Sequence, residues 1–476
     1  MHLYGGIAKP ASAGILVLFC LYLGLYHALF GTLVVAFRRS RLGKQGALLM
    51  SPFAWVAVEL ARARITSFPW DLLGITQVDN SLLTRIVPYT GAYGLSFIVA
   101  GVNALWLLRI TLKERRYTRT LLTTAGVVMI LLYVFYLRRV QTPVREGTAA
   151  VATLVQQNLE VGAAAIAAGP PLTMAQKLSA FSDLTLHPGM SYCLGVPELP
   201  STQCIQLIPI GAAPTPSRTD MIVWPEAPNG FYESDPQFRM AMSSLARTAD
   251  SSIIVGNFGL TADSQAMHGY QLFNSADFIQ PDGQFAGRYD KMHLVPFGEY
   301  VPYKKLFFFA GDLLAEAGDL QFGSRRTIFQ TGGHTYGAFI CYESIFADEI
   351  RQFSDMGADV LVNISDDGWY GDTSAAWEHL NMVRMRAIEN HRWVLRATNT
   401  GVTASIDPYG RVVVSAPRHR RTSLRVGFDF EKDITFYAKY GDLFAYLCAL
   451  VTGAALGLSF LSGSELTIDP TVTRKA

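Results

Sequence analysis

Long apolar runs near both ends of this 476-residue chain constrain its fold more than any other feature. Four runs of 25, 21, 18 and 19 residues contain no Asp, Glu, Lys or Arg: Ala13–Phe37, Pro88–Leu108, Thr120–Leu137 and Leu443–Leu461. A helix of about 20 apolar residues spans the hydrocarbon core of a bilayer. The sequence therefore predicts four membrane-spanning helices.

A fifth apolar segment, Gly46–Val58, is shorter and runs into Glu59. It is either another span with a charged end or an interfacial segment, and we favour the span. The short loops at 38–44 and 113–119 are rich in Lys and Arg, which tend to remain cytoplasmic. Four spans before residue 145 and one after residue 433 then place the middle of the chain outside the cytoplasm.

The composition agrees with a membrane protein. Half of the residues are hydrophobic and 16% are charged, against about 25% in ordinary soluble proteins. This excludes a disordered or fibrous chain and argues against a purely soluble enzyme. The 40 basic and 38 acidic residues nearly cancel, so there is no basic field that would indicate nucleic-acid binding.

The segment from about 146 to 433 has a different pattern, in which short β-rich runs alternate with helical stretches and with Gly, Pro and Asn turns. It predicts a globular α/β domain between the helices of residues 1–145 and a C-terminal helix and tail at 434–476. The predicted strands are Ala150–Val155, Met221–Trp224, Ser252–Val255, Gly337–Ile340, Val360–Ile364 and Val412–Ser415.

The five cysteines divide by location. Cys20 and Cys448 lie in apolar runs and are interpreted as small buried hydrophobic residues. Cys193 and Cys204 flank a loop with Pro and Gly, and they are candidates for a disulfide if the domain is extracytoplasmic. Cys341 ends an apolar strand before a helix-compatible stretch, where backbone amides can favour a thiolate; taken alone, the residue is explained more simply as a buried core cysteine.

Two other segments carry polar groups in apolar surroundings. Glu226 follows a predicted strand and the strand-terminating Pro225. Lys291 and Glu299 lie in a loop that is rich in apolar residues and constrained by Pro and Gly. A loop that only contacts solvent would not need this composition. Acyl transfer through a cysteine needs a nucleophile, a proton-transferring group and a group that stabilises the oxyanion. Cys341, Glu226 and Lys291 supply these three chemical groups.

Three motifs, in their order along the chain, resemble the segments that carry the Glu-Lys-Cys triad of the nitrilase superfamily. They are Trp-Pro-Glu at 224–226, Tyr-Asp-Lys-Met-His-Leu-Val-Pro-Phe-Gly-Glu-Tyr-Val-Pro at 289–302 and Ile-Cys-Tyr-Glu at 340–343. The middle segment resembles its membrane-embedded branch, the apolipoprotein N-acyltransferase family, and further segments at 363–371 and 384–403 do so too. The resemblance covers nearly the whole chain. It implies a multi-pass α-helical membrane bundle plus an extracytoplasmic α/β nitrilase-like domain, an α-β-β-α sandwich.

The resemblance also implies the reaction. An acyl group from a phospholipid, chiefly phosphatidylethanolamine, passes to Cys341 as a thioester and then to the N-terminal amine of diacylglyceryl-cysteine on an apolipoprotein. We therefore expect a multi-pass protein of the bacterial inner membrane with a periplasmic catalytic domain and with neither a cofactor nor a metal. Two alternatives remain open: a membrane-tethered amidohydrolase that uses water as acceptor, and an inactive lipid- or lipoprotein-binding scaffold.

Within this scheme Glu226 is the expected general base, and Lys291 is expected to favour the Cys341 thiolate and the tetrahedral oxyanion. Glu299 is expected to orient Lys291, and Glu343 to hold a neighbouring loop or a polar substrate group.

Aromatic residues are expected to bind the substrate. Tyr342 is expected to shape the pocket, and the resemblance makes Trp224 a substrate-pocket aromatic. Three consecutive phenylalanines, Phe307, Phe308 and Phe309, lie in one loop, and this pattern predicts a lid that inserts into the bilayer interface.

The remaining expectations concern departures and histidines. Residues 162–218 do not resemble the family's helix at that place, and the sequence begins near the point that the family reaches after its third of eight spans. We expect either an internal start or a reduced bundle. His293, His379 and His391 lack zinc-ligand spacing, and we interpret them as structural or solvated.

Overall fold

The computed structural model describes residues 8–111, 148–162, 172–188, 190–192, 206–207, 219–226, 230–266, 269–301 and 320–463. The chain forms two compact units. One comprises Ile15–Thr142 and Tyr440–Ala476, and the other comprises Met1–Gly14 and Pro143–Lys439. The predicted span Thr120–Leu137 lies outside the described residues.

The helical unit contains long apolar helices, as the sequence predicts. Among the described residues, four helices are long and apolar enough to cross a membrane. They are α1 (Lys9–Arg39), α2 (Gly43–Ile65), α4 (Ala92–Thr111) and, near the C-terminus, α10 (Leu443–Gly463), and a short helix α3 (Val87–Thr90) precedes α4. The 23-residue length of α2 favours a span over an interfacial segment at Gly46–Val58.

The surfaces of these helices are apolar on the outside. Leu18 and Leu25 of α1 and Leu450 and Phe460 of α10 are among the most exposed large hydrophobic side chains. Water would not favour such surfaces, whereas lipid tails solvate them. Within the same unit, Arg64 forms an ion pair with Asp442 over 2.6 Å.

The other unit contains two β-sheets. The larger sheet has the order β3-β2-β14-β1-β4-β5-β6-β7, and the smaller has the order β13-β12-β11-β10-β9-β8. The strands are β1 (Ala150–Gln156), β2 (Met190–Tyr192), β3 (Gln206–Leu207), β4 (Met221–Val223), β5 (Ser252–Ala262), β6 (Tyr270–Ile279), β7 (Phe285–Asp290), β8 (Ile328–Thr331), β9 (His334–Ile340), β10 (Val360–Ser365), β11 (Trp393–Thr398), β12 (Ala404–Ile406), β13 (Val412–Ser415) and β14 (Arg421–Phe428).

Helices cover the outer faces of the two sheets, which pack on each other through β1 and β11. The helices of this unit are α5 (Met174–Leu186), α6 (Pro236–Ala249), α7 (Ala347–Asp355), α8 (Ala375–Asn390) and α9 (Phe436–Tyr440). Phe181 of α5 and Phe238 of α6 pack with Ile222 and Ile253 in the core of the larger sheet. Helices α7 and α8 pack on β9 and β11 of the smaller sheet. The result is the predicted α-β-β-α sandwich.

Candidate active site

Cys341 lies at a sharp turn where β9 ends and the 3₁₀-helix Cys341–Ile345 begins. Its φ angle is +47°, a left-handed conformation that costs a residue with a side chain about 1–3 kcal/mol. The residue is buried, with 6% of its surface exposed. Such a strained turn presents a side chain away from the strand, which suits a nucleophile.

Lys291 directly follows β7 and is almost completely buried. Its Nζ lies 3.0 Å from Oε1 of Glu226 and 2.9 Å from Oε1 of Glu299. Its backbone N–H donates to the carbonyl of Asn274 on the neighbouring strand β6 over 2.8 Å. The ammonium is therefore held between two carboxylates from two different loops.

Both oxygens of Glu226 have hydrogen-bond donors. Oε1 accepts from Lys291 and from the side-chain amide of Asn274, and Oε2 accepts from the backbone N–H of Asp366 over 2.9 Å. The Asn274 amide also donates to Glu299, and both of its contacts are 2.7 Å long. Asn274 thus links the two carboxylates and fixes their separation around the ammonium.

The electrostatics of the site favour a charged lysine and a neutral thiol. Burial alone would lower the pKa of Lys291, but the Glu226 and Glu299 carboxylates outweigh it and hold the pKa well above its usual value. Burial and the negative charge of Glu226 raise the pKa of the Cys341 thiol well above normal, and the opposing effect of Lys291 is smaller. This environment therefore favours the neutral thiol over the expected thiolate, because burial disfavours the charge of the sulfur.

Glu343 ties the lysine loop to the cysteine turn. One of its oxygens accepts from the Tyr289 hydroxyl and from the backbone N–H groups of Met292 and His293, and the other accepts from the N–H of Ile340. Of its two expected roles, the observed contacts correspond to holding a neighbouring loop. Burial raises the pKa of Glu343, although these donors oppose the shift.

The aromatic candidates are separated from one another. Tyr342 is buried next to Cys341 in the chain, and its ring meets Phe346 edge to face. Trp224 is completely buried, stacks on Phe181 and donates to the Thr185 hydroxyl, so core packing accounts for its indole ring. Its role in binding substrate stays a prediction. Two further sets, Phe307 with Phe308 and Cys193 with Cys204, lie outside the described residues.

Several residues around the site have no role assigned from the sequence. Asp366, Asp367 and Arg396 lie in segments that carry the family resemblance, whereas Asn274 lies in none of them and the sequence indicates only a structural or solvated role for His379. Asp366 and Asp367 follow the end of β10, where an Asp pair after an apolar strand is the signal that points to a site. Asn274 gave no such signal, because it lies inside a strand.

The four-layer sandwich and a buried Cys, Lys and Glu define a protein of the nitrilase, or carbon-nitrogen hydrolase, class. A sequence model described as carbon-nitrogen hydrolase matches residues 140–431, and one described as the apolipoprotein N-acyltransferase N-terminal domain matches residues 1–105.

Sequence similarity to individual proteins identifies the family within this class. The chain is 31% identical over 460 residues to apolipoprotein N-acyltransferase of Geobacter metallireducens, covering 95% of this chain and 81% of the relative. It is 33% identical over 459 residues to the Methylococcus capsulatus protein of the same name, covering 95% and 82%. This chain belongs to the apolipoprotein N-acyltransferase family. The solved structure of an amidase from Nesterenkonia is similar to this chain with a TM-score of 0.41 at 15% identity, over 63% of this chain and 97% of the amidase.

Proposed function

We propose that this protein is an acyltransferase that moves a fatty acyl group from a phospholipid, through a thioester on Cys341, to the N-terminal amine of diacylglyceryl-cysteine on an apolipoprotein. Membership of the apolipoprotein N-acyltransferase family supports the reaction class. The observation that carries the mechanism is the buried Lys291 ammonium between Glu226 and Glu299, in the same unit as a strained cysteine.

In the first half-reaction Glu226 removes the proton of the Cys341 thiol. The sulfur attacks the ester carbon of the donor, a carbon–sulfur bond forms, and Lys291 stabilises the tetrahedral oxyanion. The ester carbon–oxygen bond then breaks, and Glu226 returns the proton to the leaving lysophospholipid oxygen. A neutral resting thiol is consistent with this scheme, because the proton is removed only when the donor is bound.

In the second half-reaction the acceptor amine attacks the thioester. A carbon–nitrogen bond forms, the carbon–sulfur bond breaks, and the proton lost by nitrogen passes through Glu226 to the Cys341 sulfur. The two half-reactions share one nucleophile, so the scheme is ping-pong. Lys291 serves both of them, since an oxyanion develops at the same carbon each time.

The substrates explain why the enzyme is attached to membrane helices. Both the donor and the acceptor carry acyl chains, and transfer within a bilayer avoids exposing those chains to water. Phosphatidylethanolamine is the proposed donor. The proposed location is the bacterial inner membrane with the α/β domain on the periplasmic side, where Cys193 and Cys204 would meet oxidising conditions. The loops rich in Lys and Arg support this orientation.

The test is covalent labelling. Protein in lipid vesicles is incubated with phosphatidylethanolamine that carries an alkyne on its acyl chain, and the thioester is detected by its sensitivity to hydroxylamine. We expect label on Cys341 and none in Cys341→Ala. Cys20→Ala, which removes an exposed cysteine on α1, is the matched control and should label normally. A diacylglyceryl peptide is then added, and N-acylated peptide should appear as the label leaves the protein.

Two outcomes would favour the other functions. Hydrolysis of a lipid-free small amide, with no acyl transfer to the peptide amine, would indicate a membrane-tethered amidohydrolase that uses water as acceptor. Absence of label in folded protein that also hydrolyses no small amide would indicate a binding scaffold.

A further inference from the structure

A chain of buried polar side chains ends on the backbone carbonyl of Cys341. His379 of α8 lies with Nε2 3.0 Å from this oxygen and with Nδ1 2.8 Å from Oδ1 of Asp367. Arg396 of β11 contacts Oδ2 of Asp367 over 2.7 Å. The side chains of His379, Asp367 and Arg396 are each 0% exposed.

The partner of Nε2 determines which atom donates. A backbone carbonyl oxygen only accepts, so Nε2 carries a proton and donates to the oxygen of Cys341. Burial would raise the pKa of Asp367, but the interactions with Arg396 and His379 outweigh it and lower the pKa, which keeps this carboxylate ionised. The guanidinium nitrogen of Arg396 that donates to Asp367 lies 3.3 Å from Nδ1. The Tyr370 ring meets the imidazole edge to face.

The position of this hydrogen bond matters because of the backbone beside it. Cys341 has a φ of +47°, and a conformation of that kind persists only where the surroundings hold it. Glu343 holds the N–H of Ile340, before the nucleophile, and His379 holds the carbonyl of Cys341 itself. Buried side chains therefore hold the peptide group that joins Phe339 to Ile340 and the one that joins Cys341 to Tyr342, one before the turn and one after it.

We propose that His379 is a positioning residue of the acyl transfer: its Nε2–H holds the Cys341 carbonyl, and with it the left-handed turn that presents the thiol, while Asp367 and Arg396 hold the ring. This proposal rests on the proposed function for its reaction, whereas the presentation of the thiol can be measured without any lipid. A positioning role differs from a purely structural one in the contact that matters. In the first, the rate of acyl transfer depends on the hydrogen bond from His379 to Cys341; in the second, it depends on the contact between His379 and Asp367.

Two substitutions separate those contacts. His379→Gln retains an amide N–H near the position of Nε2, so it can still donate to Cys341. His379→Asn retains one near Nδ1 and can donate only to Asp367. Both remain polar, so they preserve more of the buried site than His379→Ala would. His187→Gln, at an exposed histidine that ends α5, is the control.

The rates of two reactions of Cys341 are compared in folded protein: thioester formation with the alkyne-tagged phospholipid, and alkylation by iodoacetamide, which is small and uncharged. Misplacing a nucleophile in a bound complex costs about 100-fold in rate, so we expect thioester formation by the Asn variant to be about 100-fold slower than wild type. Alkylation should rank the variants in the same order, because iodoacetamide also needs the thiol that the turn presents. The Gln variant should be at least about tenfold faster than the Asn variant, with the KM for the phospholipid unchanged in both.

The role of His379 would be overturned if the rates of the Gln and Asn variants lay within tenfold of each other in both reactions, or if the Asn variant reacted faster. A side chain that serves only to contact Asp367 predicts that Asn is tolerated at least as well as Gln. If the proposed function is wrong, the result differs from the one that overturns the role of His379. Wild-type protein would then form no thioester, while the order of the alkylation rates among the variants would still test His379.

Discussion

The Nζ atom of Lys291 lies 3.0 Å from Oε1 of Glu226, although 65 residues separate them along the chain. Because a second carboxylate holds the same ammonium, the pKa of Lys291 stays well above its usual value and the lysine remains a cation. A permanently charged lysine cannot accept the proton of the Cys341 thiol. In the proposed mechanism the acceptor is therefore Glu226, and Lys291 acts as a fixed positive charge.

Replacing Glu226 by Gln should stop thioester formation. Gln preserves the size of the side chain and one hydrogen-bond acceptor but cannot take the thiol proton, and general-base catalysis contributes about 10²–10⁴-fold. Single-turnover labelling with the tagged phospholipid measures the rate. Glu233→Gln, which weakens the ion pairs of Glu233 with Arg239 and Arg288, is the control. A Glu226→Gln rate within tenfold of wild type would assign the base to another residue.

Replacing Lys291 by Met should abolish activity and reduce stability. The substitution leaves the buried carboxylate of Glu226 and the partly buried one of Glu299, both held by Asn274, without their cation, and breaking a buried pair costs about 3–5 kcal/mol. Thermal unfolding in detergent reports the change. Lys291→Met combined with Glu299→Gln removes one of those charges and should recover part of the stability without restoring acyl transfer. Recovery of activity by the double variant would contradict the role of Lys291 in stabilising the oxyanion.

Replacing Asn274 by Leu should slow thioester formation by about 10–100-fold, since a hydrogen bond to a charged group contributes about 1.5–3 kcal/mol and Asn274 positions Glu226 and Glu299. The KM for the phospholipid should stay unchanged, because Asn274 acts through the carboxylates. Steady-state kinetics over a range of donor concentrations separate kcat from KM. A higher KM at an unchanged kcat would instead make Asn274 part of the donor-binding surface.

The stability of the protein should depend on pH through Asp366. Burial, together with the nearby charge of Glu226, raises the pKa of this carboxyl to about 7, although hydrogen bonds from Gly368 and Asn399 oppose the shift. The folded state therefore binds the proton more tightly than the unfolded state, and the stabilisation present at low pH is lost as the pH rises from about 4 to about 7, by at most about 1.4 kcal/mol per unit. Unfolding temperatures of wild type and Asp366→Asn, measured from pH 5 to 8, should diverge, with wild type losing more. Parallel profiles would show that Asp366 does not titrate in this range.

The sequence alone determined the parts of the protein that depend on local chemistry. Apolar runs of membrane-spanning length predict α1, α4 and α10, because the thickness of a bilayer sets the length of a spanning helix. Buried strands such as Val360–Ser365 are apolar enough to be located to within a residue or two. The candidate residues Glu226, Lys291 and Cys341 follow strands and lie in recognisable motifs, so they too could be named from the sequence.

Only the tertiary structure decided which groups touch these residues and in which protonation state they rest. The N–H that holds Glu226 comes from Asp366, 140 residues away, and the donor to the Cys341 carbonyl is His379 on a separate helix. Trp224 packs in a core with residues from α5, α6 and the larger sheet, contacts that its own segment does not reveal, and its role in binding substrate stays a prediction. Local sequence patterns do not encode such contacts, because packing brings together side chains from distant segments, and burial among those side chains then sets the pKa of the thiol and of the ammonium.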